Sequence, residues 1–192
     1  ESSCDSYDTG HSSTSISAAL GLARARDLCR QDGFVVAVIG DGAMTGGLAY
    51  EALNNMARLN SNLIIILNDN DMSISKNVGG LSKYLGSIRT SNSYIQLRDR
   101  IHDSLNDTMP KVVKGISRAK QSLKSFMLPG MFFEEMGITY LGPVDGHNVR
   151  DMVRAIEDAK RVNKAVLIHA CTKKGKGYGP AEKNPSRFHG TP

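Results

Sequence analysis

The fold is decided by two stretches of sequence: Phe34-Val35-Val36-Ala37-Val38-Ile39-Gly40-Asp41-Gly42 and Leu63-Ile64-Ile65-Ile66-Leu67-Asn68-Asp69-Asn70. Each begins with a short apolar run rich in branched residues, which is typical of a strand buried on both faces of a parallel sheet. Between them, apolar residues recur at helical spacing, at Leu48, Ala52, Met56 and Leu59. We therefore predict a β-α-β unit with a right-handed crossover. Asp41 and Asn70 should then meet at the strands' carboxyl ends, where open α/β sheets bind ligands.

Asp41 and Asn70 have the chemistry of a magnesium site. A carboxylate and an amide oxygen are hard ligands, and Mg²⁺ commonly completes its octahedral shell with phosphate oxygens and water. Gly42 would let a phosphate approach the backbone closely, and the helix after Gly46-Gly47 would direct amide groups toward an anion. The pattern favours a site for Mg²⁺ and a diphosphate. The alternative interpretation is two ordinary turns that bind nothing.

The rest of the chain fits a three-layer α/β/α fold with a mostly parallel sheet. Strands near 34–39, 63–67 and 165–170 are expected to be central, and 138–141 to form a further short strand. Asn148 is predicted to cap a helix whose apolar stripe consists of Val149, Met152, Val153 and Ile156. Residues 91–128 are predicted to be mainly helical. Residues 71–86 look too polar for a strand and too broken for a long helix, and the tail after 170 looks irregular.

Bulk composition indicates a single globular domain of 192 residues with net charge +5. Its apolar runs are shorter than the roughly 20 residues that a membrane span needs. Its three cysteines have no metal-type spacing, which fits a reducing cytoplasm. The basic residues of 111–124 alternate with apolar ones at helical spacing, so they indicate a solvated helix face. We therefore expect a cytoplasmic protein with neither a nucleic-acid nor a membrane partner.

Five motifs in order resemble the 1-deoxy-D-xylulose-5-phosphate synthase family of transketolase-like enzymes. They are Gly10–Ala18, Val38–Ala43, Leu67–Ser75, Leu141–His147 and Thr172–Tyr178, and the resemblance runs from about Tyr7 to Pro192. It implies a thiamine-diphosphate-binding fold with thiamine diphosphate and Mg²⁺ as cofactors. It also implies the condensation of pyruvate with glyceraldehyde 3-phosphate, with loss of CO₂, in a homodimeric enzyme that supplies isoprenoid, thiamine and pyridoxal synthesis.

The resemblance also assigns roles to individual residues. It implies a metal site formed by Asp41, Asn70 and the backbone carbonyl of Met72, and catalytic roles for Lys174 and His189 in the tail. It implies cofactor contacts from Gly10, His11, Ser12, Gly42, Ala43, Asn70 and Tyr178. The motif that contains His147 is interpreted as a structural loop, and whether it lies near the site is left open. His169 lies within a predicted strand, where an inward or neighbour-bonded histidine is expected.

The family's ring-activating glutamate belongs to a domain that has no counterpart in these 192 residues. The chain is therefore expected to be one partial diphosphate-and-magnesium domain, cut or processed from something larger, without the pyrimidine-binding and C-terminal domains, and inactive in isolation. Two alternatives stay open: another transketolase-like or 2-oxo-acid dehydrogenase enzyme, and a non-catalytic nucleotide-binding module. The latter is disfavoured because Gly40–Gly46 misplaces the last glycine of the Gly-x-Gly-x-x-Gly pattern.

Overall fold

Seven helices and four strands make up the part of the chain that the structure describes. The computed structural model describes residue 2 and residues 4–59, 61–70, 72, 79–90 and 130–190. The elements are α1 (Ser15–Leu28), β1 (Val36–Gly40), α2 (Asp41–Met44), α3 (Gly47–Leu59), β2 (Ile64–Asp69), α4 (Gly80–Thr90), α5 (Met131–Glu135), β3 (Thr139–Asp145), α6 (Val149–Arg161), β4 (Val166–Cys171) and α7 (Gly179–Lys183).

The four strands form one sheet in the order β1-β2-β4-β3, and every neighbouring pair is parallel. Gly40 at the end of β1 pairs in register with Asn68, and Asp69 at the end of β2 pairs with Cys171. The carboxyl ends of β1, β2 and β4 therefore lie side by side at one edge of the sheet. This confirms the predicted parallel β-α-β unit.

Helices cover both faces of the sheet, which confirms the three-layer α/β/α prediction. One face packs α1, α3, α4 and α5 against β1, β2 and β4 in the larger core, which includes Ile16, Leu53, Ile65, Leu67, Ile88, Phe133 and Leu167. On the other face α6 packs against β3 and β4, and a smaller core there contains Ala155, Ala159, Ile64, Val166 and Ile168. The central strands β2 and β4 are thus buried on both sides.

The strand β1 differs from the expectation that it would be central and doubly buried. It is the end member of the described sheet, and Val36 and Val38 are 47% and 61% exposed. Ala37 and Ile39, which point to the opposite face, are buried in the larger core. Helix α6 packs against β3 and β4, so among the described residues it leaves the outer face of β1 uncovered.

The buried face of α6 also differs from the predicted stripe. Val149 and Val153 are 75% and 53% exposed, whereas Ala155 and Ala159 are buried. Met152 and Ile156 pack beside these alanines. Residues 152, 155, 156 and 159 follow the i, i+3, i+4, i+7 rule, and small alanines let the helix approach the sheet closely. In α1, by contrast, the predicted stripe is buried as expected, at Ile16, Ala19, Leu20 and Ala23.

Two segments predicted to lack regular structure contain helices. The helix α4 spans 11 residues in a region that looked too broken to form one. The tail contains α7, which has Pro180 in its first turn. The helical prediction for 91–128 lies outside the described residues. Among the described helices, none combines the length and apolar character required to cross a bilayer.

Asn148 caps α6 as predicted, because its side-chain oxygen accepts hydrogen bonds from the backbone N–H groups of Arg150 and Asp151. Asn148→Ala should therefore lower the free energy of unfolding by about 1 kcal/mol. Urea denaturation followed by circular dichroism would measure this loss. Asn148→Asp keeps an accepting oxygen and serves as the control. Equal stability of the alanine variant and the unsubstituted chain would contradict the capping role.

Candidate functional site

The candidate site lies where the carboxyl ends of β1, β2 and β4 meet. Asp41 is the first residue after β1 and is only 4% exposed. Asn70 is the first residue after β2, and Thr172 the first after β4. Because Gly40 and Asn68 are paired in register, Asp41 and Asn70 leave the same edge of the sheet on neighbouring strands. The predicted convergence of these two strand ends is confirmed.

The side chain of Asn70 is oriented by its own loop. Its Oδ1 accepts a hydrogen bond from the backbone N–H of Met72 at 3.1 Å. An amide oxygen has two acceptor positions, so this bond leaves one for a cation. Asp41, Asn70 and the Met72 carbonyl together offer only hard oxygen donors, which is the donor set that Mg²⁺ takes. These residues therefore fit a magnesium ion.

Part of the predicted cofactor set surrounds a cleft beside the end of β1. The cleft has a volume of about 380 Å³, and its lining includes Gly10, His11, Ser12, Gly40 and Ala43. The loop satisfies its own backbone groups: the Thr9 hydroxyl accepts from the His11 N–H at 3.2 Å, and the Thr14 hydroxyl donates to the His11 carbonyl at 3.1 Å. The loop is thus shaped before any ligand binds.

Other members of the predicted set lie outside the lining of this cleft. Gly42 lies within α2 beside Ala43, and Asn70 lies at the neighbouring strand end. Tyr178 belongs to the tail, where its ring meets Phe188 edge-on with centroids 5.8 Å apart. The structure therefore divides the predicted cofactor residues into a loop group, a strand-end group and a tail group.

The loop formed by Gly10, His11, Ser12 and Ser13, here called the glycine-serine loop, is held against the turn between α2 and α3 by a very close contact. Ser13 has a positive φ of 69°, which turns the loop toward Gly46. A Cβ atom placed on Gly46 would lie 2.4 Å from Ser13 Oγ and 2.8 Å from Ser13 Cβ. Only glycine at position 46 permits this approach.

A buried hydrogen-bonded chain runs across three strands beneath the site. His169 Nε2 lies 2.8 Å from Asp69 Oδ2, and His169 Nδ1 lies 2.6 Å from the Tyr140 hydroxyl. Asp69 and His169 are both fully buried. With an ionised Asp69 and a neutral His169 ring, the Nε2–H of His169 donates to Asp69 and Nδ1 accepts from the Tyr140 hydroxyl. This confirms the expectation of a neighbour-bonded His169.

Asp69, His169 and Cys171 also bring three possible metal ligands together. Two ligands on a tetrahedral ion at about 2.0–2.1 Å would be about 3.3 Å apart. The 2.8 Å between Nε2 and Oδ2 is shorter and matches a hydrogen bond. Cys171 Sγ stands 3.8 Å from the same nitrogen. The arrangement is therefore a hydrogen-bonded chain that rigidifies the strand ends.

Sequence reasoning missed the roles of Asp69 and Tyr140. Strand alternation offered a signal for Asp69, because it shares a face with Leu67 and Ile65, both of which lie in the larger core. A buried carboxylate on that face requires a hydrogen-bonding partner. The partner lies 100 residues away in sequence, so the sequence pattern could not name it.

The first residue of the tail, Thr172, is hydrogen-bonded to the end of β2. The Thr172 hydroxyl donates to Asn68 Oδ1 at 2.6 Å, and the Thr172 N–H donates to the Asp69 carbonyl at 2.8 Å. The next residue, Lys173, donates its backbone N–H to His147 Nε2 at 2.7 Å. His147 thus anchors the tail at the residue before Lys174, so its motif serves as a structural loop beside the segment that carries a predicted catalytic residue.

The tail brings both predicted catalytic residues together. Lys174 Nζ contacts His189 Nδ1. Lys173, its neighbour, forms an ion pair with Glu182 instead, and Glu182 Oε1 also accepts the Gly177 N–H at 2.9 Å. The role of Glu182 was not predicted, although it is the only acidic residue after Asp158 in the sequence.

The family of the chain follows from its sequence match. A model of the family described as 1-deoxy-D-xylulose-5-phosphate synthase matches residues 1–172. The chain belongs to this family. The curated 1-deoxy-D-xylulose-5-phosphate synthase of Lachnoclostridium phytofermentans is 57% identical over 194 residues, covering 99% of the chain and 31% of that relative. The Clostridium kluyveri enzyme is 54% identical, with the same coverage. The chain thus spans about a third of the length of these relatives.

A solved structure supports the fold independently. The transketolase from Campylobacter jejuni subsp. jejuni superposes with a TM-score of 0.58 and 23% sequence identity. The superposition covers 94% of this chain and 22% of the transketolase chain. At this identity the likeness concerns the fold alone.

Gly46→Ala should destabilise the protein by about 1–3 kcal/mol, because the added methyl group overlaps the Ser13 side chain. Gly47→Ala is the matched control, since a Cβ there would meet nothing within 4 Å. Chemical denaturation of both variants would measure the difference. A Gly46→Ala variant as stable as Gly47→Ala would contradict the close packing of the loop.

The Glu182 carboxyl should make stability depend on pH. Its pKa is lowered by the hydrogen bond from Lys173 and then by that from the Gly177 N–H. A carboxyl whose pKa is lower in the folded state stabilises above its unfolded pKa, about 4.3, and loses this contribution as the pH falls through the folded value. The excess Tm of the unsubstituted chain over Glu182→Gln should therefore be present at pH 7 and shrink toward pH 3.

Lys173→Met is the control for this pH effect, because it removes the cation that contributes most to the lowered pKa. In that background, Glu182→Gln should change Tm less at pH 7. A Tm difference that persists undiminished at pH 3 would show that the Glu182 charge is not its source.

Proposed function

We propose that the chain is the diphosphate-and-magnesium part of a 1-deoxy-D-xylulose-5-phosphate synthase. The whole enzyme would condense pyruvate with glyceraldehyde 3-phosphate to 1-deoxy-D-xylulose 5-phosphate and release CO₂, for isoprenoid, thiamine and pyridoxal synthesis. The observation that carries the proposal is the emergence of Asp41 and Asn70 from neighbouring parallel strand ends in a chain of this family. The cofactor residues predicted in the glycine-serine loop and the catalytic residues predicted in the tail make up the rest of the proposed site.

Asp41 would supply the only charged protein ligand to Mg²⁺. Asn70 would add its amide oxygen, held in place by the Met72 N–H, and the Met72 carbonyl would add a third oxygen. Three oxygens leave octahedral positions for the diphosphate and water. Asp41 is 4% exposed, and in such a low-dielectric position a carboxylate attracts a cation more strongly than it would in water.

The glycine-serine loop would hold the diphosphate end of the cofactor. Gly10, His11, Ser12 and Ala43 line the same cleft, Gly42 is the neighbour of Ala43 in α2, and Tyr178 would contribute a contact from the tail. Thiamine diphosphate, when bound, supplies the carbanion chemistry of the reaction, and the protein supplies position and electrostatics.

Lys174 and His189 would act on the substrates rather than in binding Mg²⁺. The Lys174 ammonium is a point charge suited to a phosphate group. The ammonium donates to His189 Nδ1, so a neutral ring carries its proton on Nε2, which is the atom that would give a proton to the substrate. Their contact places a cation beside a proton carrier, which is the combination that a phosphorylated substrate undergoing proton transfer requires.

The remaining parts of the enzyme would come from outside this region. We infer that residues 1–192 form a single partial domain, and that the pyrimidine-binding and C-terminal domains belong to the other two thirds of the relatives' length. A homodimer working in the cytoplasm, without nucleic-acid or membrane partners, is part of this proposal. The exposed outer face of β1 is compatible with further packing partners.

Asp41→Ala should abolish Mg²⁺-dependent binding of thiamine diphosphate, because it removes the only charged ligand. Asn70→Ala should weaken binding less, since it removes a neutral oxygen. Isothermal calorimetry with thiamine diphosphate, with and without Mg²⁺, would measure both effects in the chain and in a full-length protein that contains it. Titration with NAD tests the alternative of a nucleotide-binding module.

Asp32→Ala is the control, because Asp32 is an exposed carboxylate that precedes β1 rather than following it. It should bind like the unsubstituted protein. Normal Mg²⁺-dependent affinity in the Asp41→Ala variant would refute the metal assignment, and tighter binding of NAD than of thiamine diphosphate would refute the proposed function.

The isolated 192-residue chain should release no CO₂ from pyruvate. Anchoring the diphosphate positions one end of the cofactor and leaves its reactive ring without the activating glutamate. An assay with Mg²⁺ and thiamine diphosphate, with a full-length protein that contains the chain as the positive control, would test this. Turnover by the isolated chain would overturn the assignment of the site to two domains.

A further inference from the structure

Glu182 joins the two ends of the lysine-bearing turn. One carboxylate oxygen contacts Lys173 Nζ, and the other accepts the Gly177 N–H at 2.9 Å. Glu182 itself lies on α7, in the fourth position of the helix. A single side chain therefore connects the start of the turn, its end and the helix that follows it.

The chain between these contacts is tightly packed. Backbone bonds close two successive turns, from the Lys176 N–H to the Lys173 carbonyl at 3.2 Å and from the Tyr178 N–H to the Gly175 carbonyl at 3.0 Å. Gly175 has a φ of 74°, and a Cβ there would lie 2.6 Å from Ala181 Cβ. The turn thus rests directly on α7, one residue before Glu182.

This arrangement gives two adjacent lysines different surroundings. Lys173 is directed to Glu182, whereas Lys174 is directed to His189, which returns to the turn after α7. Glu182 connects α7 to the turn that carries Lys174. The residues after α7 lead to His189, which contacts Lys174. Thr172 and His147 hold the opposite end of the segment, at its exit from β4.

We propose that Glu182 is a positioning residue that brings Lys174 and His189 together through its contacts with Lys173 and Gly177, and that the enzyme depends on it. The consequence for catalysis rests on the proposed function, in which Lys174 and His189 act on the substrate side. The positioning itself does not rest on that function, because it concerns contacts within the tail.

The chemistry of Glu182 defines which substitutions should matter. Its charge holds Lys173, and its second oxygen holds the Gly177 amide. Glu182→Ala removes both contacts, and Glu182→Gln removes the charge while it keeps an accepting oxygen. Lys173→Arg keeps a cation for Glu182 and should preserve the arrangement. The control variant is Glu157→Gln, which alters an exposed glutamate that also pairs with a lysine, Lys160 on α6.

The first experiment observes the arrangement directly in the 192-residue chain by NMR. The unsubstituted chain, Lys173→Arg and Glu157→Gln should show nuclear Overhauser contacts between the Lys174 ε-protons and the His189 ring, and slowed exchange of the Gly177 amide. Glu182→Ala should lose both signals, and Glu182→Gln should show partial loss. An unchanged Lys174–His189 contact in Glu182→Ala, with the chain still folded, would overturn the proposal.

The second experiment measures the effect on catalysis in a full-length protein that contains this chain. Glu182→Ala should lower kcat/KM for the substrates about 10- to 100-fold, because small misplacements of catalytic groups carry costs of this order. Mg²⁺-dependent affinity for thiamine diphosphate should change much less, and the separate Lys173→Arg variant should retain most of the activity. Unchanged kcat/KM in Glu182→Ala would overturn the catalytic part of the proposal.

The two experiments separate failure of this inference from failure of the proposed function. If the unsubstituted full-length protein forms no 1-deoxy-D-xylulose 5-phosphate, the proposed function fails, and the NMR result still decides whether Glu182 positions the pair. If the product forms and the NMR contact survives Glu182→Ala, only the role of Glu182 is refuted.

Discussion

The parallel pairing of β2 with both β1 and β4 is the constraint on which the rest of the structure depends. It brings three strand ends to one edge, and each end contributes a polar residue: Asp41, Asn70 and Thr172. An antiparallel partner would send its loop to the opposite edge and separate the oxygen ligands. The helices α3 and α6 belong to the crossovers that make this parallel order possible.

Beneath that edge, polar contacts make the strand ends rigid. The chain Asp69–His169–Tyr140 links β2, β4 and β3 inside the larger core. Asp69 and His169 are fully buried, so removing either one would leave a buried polar atom of the other without this hydrogen bond, which is costly. Asn68 Oδ1 and the Asp69 carbonyl accept hydrogen bonds from Thr172, which fixes the start of the tail to the end of β2. The loop group and the tail group are thus both positioned from the sheet, one by Gly46 and one by Thr172.

The tail shows how a basic segment becomes an ordered one. Lys173, Lys174 and Lys176 lie within four residues, and like charges at this density repel one another. Glu182 offsets one charge and accepts a backbone N–H with the same carboxylate. The tail therefore forms turns and a short helix instead of the irregular segment that its composition suggests.

The sequence by itself determined the strands, their parallel direction, the Asn148 cap and the family, because these depend on local patterns and on short motifs. It also determined that Asp41 and Asn70 share an edge, since that follows from strand direction. Only the tertiary structure decided that β1 lies at the end of the described sheet and that α6 buries its alanines. The same holds for the pairing of Asp69 with His169 and of Glu182 with Lys173. The physical reason is that a residue's partner depends on strand order and helix rotation, which packing of the whole core sets and no local pattern encodes.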